Sequence, residues 1–217
     1  MNKKIIIGII VFLVIAFLIV FGAFMFFNNN NQSSNNNTRD NSLNETKTEE
    51  IKENISNKTD KKVLVAYFSY SGNTKSMAEE IASETSGDLF EIQTDKEYSD
   101  LTNETKEEIT RGERHTLTKK VDNIDQYDVI FVGYPVWWHS TPVQINTFLE
   151  ANNLSGKVVV PFCTSGSSDI SETISSFKNS CKDCVVLEGI TITDNNATTE
   201  AGKTKIANWL NNLGIFE

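Results

Sequence analysis

Two histidines and three cysteines are all that 217 residues offer a metal or a nucleophile, and that scarcity removes several classes of chemistry. The Cys181-Lys182-Asp183-Cys184 pair has no second C-x-x-C, and His115 and His139 are remote from it in sequence, so a four-ligand zinc site lacks donors. No metal is expected. The pair stays open to two readings, a local disulfide if the domain lies outside the membrane or two small, partly buried thiols. No G-x-G-x-x-G occurs, and Gly202-Lys203-Thr204, which ends like a P-loop, has Ala197 where the first glycine belongs. Basic stripes are missing too. Residues 61–217 carry 14 Lys and Arg against 23 Asp and Glu, while residues 1–60 carry 6 against 6, so the net charge of −9 belongs to the later part. That acidity excludes nucleic acid as a partner and favours cationic ones.

What the chain has in plenty is one long apolar run. Ile5–Phe27 is 23 residues without a charge, and as a helix it is roughly 34 Å long, enough for a bilayer core of about 30 Å. A cleaved secretory signal has a shorter apolar part and a small-residue cleavage site, and Gly22-Ala23-Phe24 is a poor one. Residues 1–27 are therefore expected to be a single-pass membrane anchor. Lys3 and Lys4 precede it, while Arg39 and Asp40 beyond it cancel, which keeps the N-terminus cytoplasmic and puts the rest on the extracytoplasmic side. Residues 28–60 are Asn-rich, with Leu43, Ile51 and Ile55 as their large apolar groups, and read as a disordered tether.

From Lys61 onward strand and helix patterns alternate. Continuous apolar runs at Val63–Phe68, Val129–Val132 and Val158–Phe162 read as buried strands, Cys184–Ile192 as the last strand, and Asp88–Thr94 as a weaker edge strand. Between and after them lie helical patterns over Ser76–Gly87, Glu104–Arg114, Pro142–Asn152, Asp169–Phe177 and Thr198–Gly214. Such alternation gives an α/β domain over 61–217, an open parallel sheet with helices on both faces and right-handed crossovers. Ligands of such sheets sit beyond the carboxyl ends of the strands.

Three loops there carry chemistry. Ser69-Tyr70-Ser71-Gly72-Asn73-Thr74 joins the first strand to its helix, where unpaired N–H groups and the helix dipole hold an anion, Ser69, Ser71 and Thr74 add hydroxyls, and Gly72 admits close approach. Ordinary capping by Ser71 or Asn73 is the competing reading. Gly133 to Pro142 contains Trp137 and Trp138 in a turn between two prolines. Adjacent residues there point apart, so one of the two presents a flat face for stacking on a planar ring. Thr164-Ser165-Gly166-Ser167-Ser168 is small and polar, with backbone donors for the rim of a heterocycle.

"YFSYSGNTKSMA", "YDVIFVGYPVWWHSTPVQINTFLE" and "PFCTSGSS", in that order and each after its strand, resemble the flavodoxin-like family, in particular its single-domain FMN-binding members with a Pro-x-Trp-Trp loop. The resemblance covers roughly residues 61–217. It implies a flavodoxin-like three-layer sandwich with a five-stranded parallel sheet in the order 2-1-3-4-5, holding FMN non-covalently. By position, Ser69, Ser71, Gly72, Asn73 and Thr74 match the phosphate loop. Pro135, Val136, Trp137 and Trp138 match the loop against the isoalloxazine, and Thr164, Ser165 and Gly166 match the third flavin loop. The implied function is electron transfer to a redox partner protein or a small quinone-like acceptor. The alternatives are an NAD(P)H-dependent reductase of quinones or nitro-compounds and a non-redox binding module of the same fold. His139 is the titratable group expected beside the ring, there to stabilise reduced flavin or to deliver a proton. Electron-transfer flavodoxins often carry a glycine beside the flavin aromatic residue; Trp138-His139-Ser140 stands there instead, which sets this chain apart from strict one-electron carriers.

Overall fold

The computed structural model describes residues 46–193 and 196–216. The expected anchor and residues 28–45 of the expected tether lie outside the described residues. Among the described residues, no helix is long and apolar enough to cross a membrane. The chain divides into two units, Met1–Glu49 and Glu50–Glu217. The second contains the sheet.

The tether expectation fails over its last part, since residues 46–56 are helical (α1). Ile51 and Ile55 stand four apart, on one helix face, and pack against the core. Lys58 then pairs with Asp128 at 2.8 Å, and the same carboxylate accepts from the Lys62 N–H at 3.0 Å, which pins the entry to the sheet. A composition averaged over the 33 residues 28–60 hides two isoleucines at helical spacing.

The sheet is built from β1 (Val63–Tyr67), β2 (Asp88–Glu91), β3 (Val129–Pro135), β4 (Val158–Ser165), β5 (Val185–Val186) and β6 (Ile190–Thr193). All pairings are parallel, in the order β2-β1-β3-β4, with β5 and β6 both on the outer side of β4. This is the expected 2-1-3-4-5 order with its last strand in two pieces. Pro161 causes the break. Val159 accepts from the Leu187 N–H at 3.1 Å, so that side of β4 faces the last strand, and Pro161, two residues on, faces the same way with no N–H to give. Gly189 passes the gap so closely that a Cβ there would lie 2.5 Å from the Pro161 carbonyl oxygen.

Successive strand residues bury on opposite faces. Val63, Val65, Tyr67, Phe131, Val160 and Phe162 belong to one core, Leu64, Ala66, Ile130, Val132, Tyr134 and Cys163 to the other. α2 (Asn73–Thr85) and α6 (Glu200–Asn212) cover the first core, through Met77, Ile81, Ile206 and Trp209. α4 (Val143–Ala151) and α5 (Ile174–Ser180) cover the second, through Ile145, Phe148, Leu149 and Phe177. Among the described residues, both cores are built from residues within 51–216. The α2 stop falls one residue earlier than its glycine, at Ser86 in the left-handed region, with the Gly87 N–H donating to Ala82 O. Cys181 and Cys184 form a disulfide at the end of α5.

Between β2 and β3 the chain makes a long polar excursion carrying α3 (Leu101–Arg111). Its two ends are tied by the Asp95 N–H to Thr116 O and the Thr118 N–H to Gln93 O. Glu104 knots the segment before α3, accepting from the Ser99 and Asp100 N–H groups at 2.9 and 2.7 Å and from Lys96. The hydrogen bond from Lys96, followed by those backbone donors, lowers the Glu104 pKa from 4.5 to about 2.

Two expected outcomes follow from this packing. A Cβ on Gly133 would lie 2.1 Å from the Phe162 ring on the neighbouring strand, so Gly133→Ala is expected to cost about 1–3 kcal/mol. A urea unfolding midpoint equal to that of the parent would contradict it. Because the Glu104 carboxyl is lowered on folding, its contribution is present above the unfolded value and disappears as pH falls through the folded one. Stability should therefore drop between pH 4.5 and about 2, and Glu104→Gln should flatten that limb while lowering the midpoint at neutral pH. Unfolding midpoints measured across that range would show an unchanged slope if the knot does nothing.

Candidate functional site

The parallel strands end together, and their carboxyl ends bring the three expected loops to one edge. Gly72 is the N-cap of α2 with φ 93°, a left-handed conformation that glycine adopts freely. Its N–H donates to Ser69 Oγ at 3.1 Å, and no heavy atom lies within 4 Å of where a Cβ would stand. No side chain caps α2, so the capping reading for Ser71 and Asn73 does not hold. The first turn is left without a side-chain acceptor at its positive end, beside exposed Ser71. Thr74 differs from the other loop residues: it is buried, and its hydroxyl meets Thr164 Oγ1 at 2.8 Å. That bond joins the first loop to the third.

In the second loop, β3 extends further than expected and includes Gly133, Tyr134 and Pro135. The Val136 N–H donates to Thr164 O at 2.9 Å, a second link to the third loop. Trp137 and Ser140 exchange both backbone hydrogen bonds, at 3.2 and 2.9 Å, around a two-residue turn in which Trp138 and His139 have φ 51° and 58°. The two tryptophans then diverge as the alternation requires. Trp137 is half-buried, edge-on to Phe68, Tyr70 and Tyr98 with ring centroids 5.4, 6.1 and 5.9 Å away. Trp138 is 45% exposed, its Nε1–H donates to Thr105 Oγ1 at 3.1 Å, and Lys106 lies 5.1 Å over its ring.

The third loop turns on Ser165, whose Oγ accepts from the Ser167 and Ser168 N–H groups at 3.2 and 2.8 Å, with Gly166 exposed between them. Glu172, in the short 3₁₀ turn Ile170–Glu172, accepts from the Asp169 N–H and from His139 Nδ1. Ser168 Oγ stands 3.2 Å from the same nitrogen. The backbone bond, then His139, hold the Glu172 carboxyl below its usual range. His139 therefore bridges the second and third loops. Cys163, one residue before this loop, is buried, and burial pushes its thiol up to about 12. It is no nucleophile at neutral pH.

A further group of residues escaped the sequence reading, because a charged stretch reads as solvated surface. Glu108 is 4% exposed and accepts from Tyr98 OH at 2.8 Å. Its other oxygen lies 3.6 Å from Lys96 Nζ and 3.3 Å from His115 Nε2. Burial, then the Glu108 hydrogen bond, raise the Tyr98 phenol above its ordinary value. Glu108, Glu113 and His115 bring one donor each within 4.8 Å of one another, but Lys96 supplies the cation at the buried carboxylate. The signal in the sequence was the spacing of Thr105 and Glu108, which share the inward side of α3.

The comparisons agree with this geometry. The family model described as flavodoxin matches residues 62–213. A putative flavoprotein from Bacteroides eggerthii DSM 20697 is 34% identical with a TM-score of 0.63, over 71% of this chain and 98% of that one. A second, from Bacteroides uniformis ATCC 8492, is 31% identical with a TM-score of 0.62, over 70% and 98%. A flavoprotein from Lactobacillus acidophilus NCFM, solved in complex with FMN, is 26% identical with a TM-score of 0.55, over 64% and 96%. No curated protein matches. With the sheet order, the three loops at one edge and a family match over most of its length, the chain belongs to the flavodoxin family.

Proposed function

We propose that the domain binds FMN non-covalently across the three loops and transfers electrons, and that the apolar run Ile5–Phe27 holds it at a membrane. The observation that carries this reading is the uncapped start of α2 behind Gly72, at the same sheet edge as a half-buried tryptophan. The residues fit the group. A phosphate monoester needs backbone donors and a place without side-chain bulk, and the first turn of α2 and the open space at Gly72 offer both. Ser71 adds a free-standing hydroxyl, whereas the Ser69 and Thr74 hydroxyls already have partners within the protein, so those two shape the loop. A planar ring finds its wall in Trp137 and Trp138, with Pro135 and Val136 leading in, and its rim in Thr164, Ser165 and Gly166.

Bound FMN supplies the redox chemistry, taking up and returning electrons with their protons. The chain's part is to bind, orient and set the electrostatics. An acidic domain and an aromatic wall both oppose added negative charge at the ring, which favours a strong electron donor. His139 Nδ1 faces a carboxylate, which accepts only, so Nδ1 carries the hydrogen and Nε2 is the acceptor of the neutral ring.

Residues 50–217, purified and supplied with FMN, should show a flavin spectrum. Trp137→Ala and Gly72→Ala should each weaken FMN at least tenfold by fluorescence titration, the second by adding a Cβ at a left-handed position where the phosphate would lie. A colourless protein, or unchanged affinity in both variants, rules the reading out. Reduction by dithionite but not by NADPH alone fits a carrier; rapid reduction by NADPH points to a reductase. On intact cells, added protease should remove the domain; if the domain is protected, the extracytoplasmic position expected from Lys3 and Lys4 is wrong.

A further inference from the structure

Beside the first loop, the ends of β1 and β2 and the 92–98 segment enclose a cleft of about 380 Å³. It shares Ser69 and Tyr70 with the phosphate loop, but no residue of 135–142 or 164–168 lines it. Phe68, Tyr70, Ile92 and Tyr98 form its apolar surface, Lys96 stands in its wall, and Gln144 reaches it from α4.

The hydrogen bonding of Gln144 is fixed by the chain behind it. A carboxylate only accepts, so Tyr98 spends its single hydrogen on Glu108. The Tyr98 oxygen then accepts from the Gln144 amide at 2.5 Å, which orients the amide with Nε2 toward Tyr98. Gln144 Oε1 is left without a partner in a residue 1% exposed. A buried acceptor in that state destabilises the fold until something donates to it. The cleft is where a donor can come from.

The remaining walls set the charge. Glu91 and Glu97 face the cleft, and the one cation there, Lys96, already pairs with Glu104 and Glu108. An anion meets repulsion without a free counter-charge. The aromatic rings suit a flat molecule of one or two fused rings, which a space of this size admits.

We infer that this cleft is a second ligand site, taking a neutral or cationic planar aromatic molecule that gives an O–H or N–H to Gln144 Oε1. It adjoins the first FMN loop through Ser69 and Tyr70 but uses no residue of the other two, so it is open to test on flavin-free and FMN-loaded protein alike. Residues 50–217 hold both cores, and the whole Bacteroides relatives correspond to this domain, so that segment suits the test. With 2-naphthol as the probe and 2-naphthoate as its anionic counterpart, 2-naphthol should bind saturably in both flavin states. Amide NMR shifts should centre on residues 92–98 and 144. 2-Naphthoate should bind at least tenfold more weakly. Gln144→Leu, similar in volume and apolar, should weaken 2-naphthol about tenfold without changing FMN affinity. The proposal is overturned if 2-naphthol does not saturate, if shifts centre on residues 164–168, or if 2-naphthoate binds equally well. It is also overturned if the variant binds 2-naphthol as before or loses FMN. Should the variant fail to fold, the shift map and the probe comparison on the unaltered domain decide the matter.

Discussion

The parallel register between β3 and β4 runs unbroken from Val129↔Val158 to Pro135↔Thr164, and the loop edge depends on where it stops. Because the two strands end level, Val136 can donate to Thr164 O as the second loop leaves the sheet. Thr164 also meets Thr74 from the first loop, so one residue ties all three loops together. A slip of one residue in that register would send Thr164 to the opposite face and undo both links. The register is itself guarded by size. The Phe162 ring occupies the space above Gly133, so the one small residue of β3 must sit opposite the one large aromatic of β4.

The long excursion between β2 and β3 solves a different problem. A buried glutamate is expensive unless its charge is met, and Glu108 accepts from Tyr98 while Lys96 and His115 stand 3.6 and 3.3 Å from its other oxygen. Those groups come from opposite ends of the excursion, residues 96–98 and 115, while Glu108 sits on α3 between them. The polar network therefore folds the segment onto itself, and Tyr98, fixed from behind, becomes a firm backing for Trp137. A surface that looks solvated by composition is here a support for the aromatic loop.

The sequence made most of this architecture legible, because strands buried on both faces leave unmistakable apolar runs and each is followed by a helix stripe. The loop residues could be read as a group for the same reason, since a parallel sheet brings every strand-to-helix loop to one edge. What stayed hidden depends on pairings over distance. α1 packs on the core through Ile51 and Ile55, a signal too small to outweigh its polar surroundings. The break between β5 and β6 originates in Pro161 on a neighbouring strand. The Cys181–Cys184 disulfide was one of two open readings, because spacing alone fits either. Glu108 looked like any other exposed acid until Tyr98, 10 residues earlier, was found bonded to it.

The turn at Trp138 and His139 joins these themes. Both residues hold positive φ, which for side chains with a Cβ costs about 1–2 kcal/mol each, and glycines would avoid the cost. The turn is retained in this form because each side chain is anchored, Trp138 to Thr105 on α3 and His139 to Glu172 beyond the third loop. Those anchors lie on two separate elements, and the paired backbone bonds between Trp137 and Ser140 close the base. A glycine turn would be cheaper but free to reorient its central peptide. Here the strained backbone is over-determined by its neighbours, so the second loop has one conformation to offer. That rigidity follows from the same excursion that buries Glu108, because Thr105 lies one helical turn before it and is positioned by the same packing.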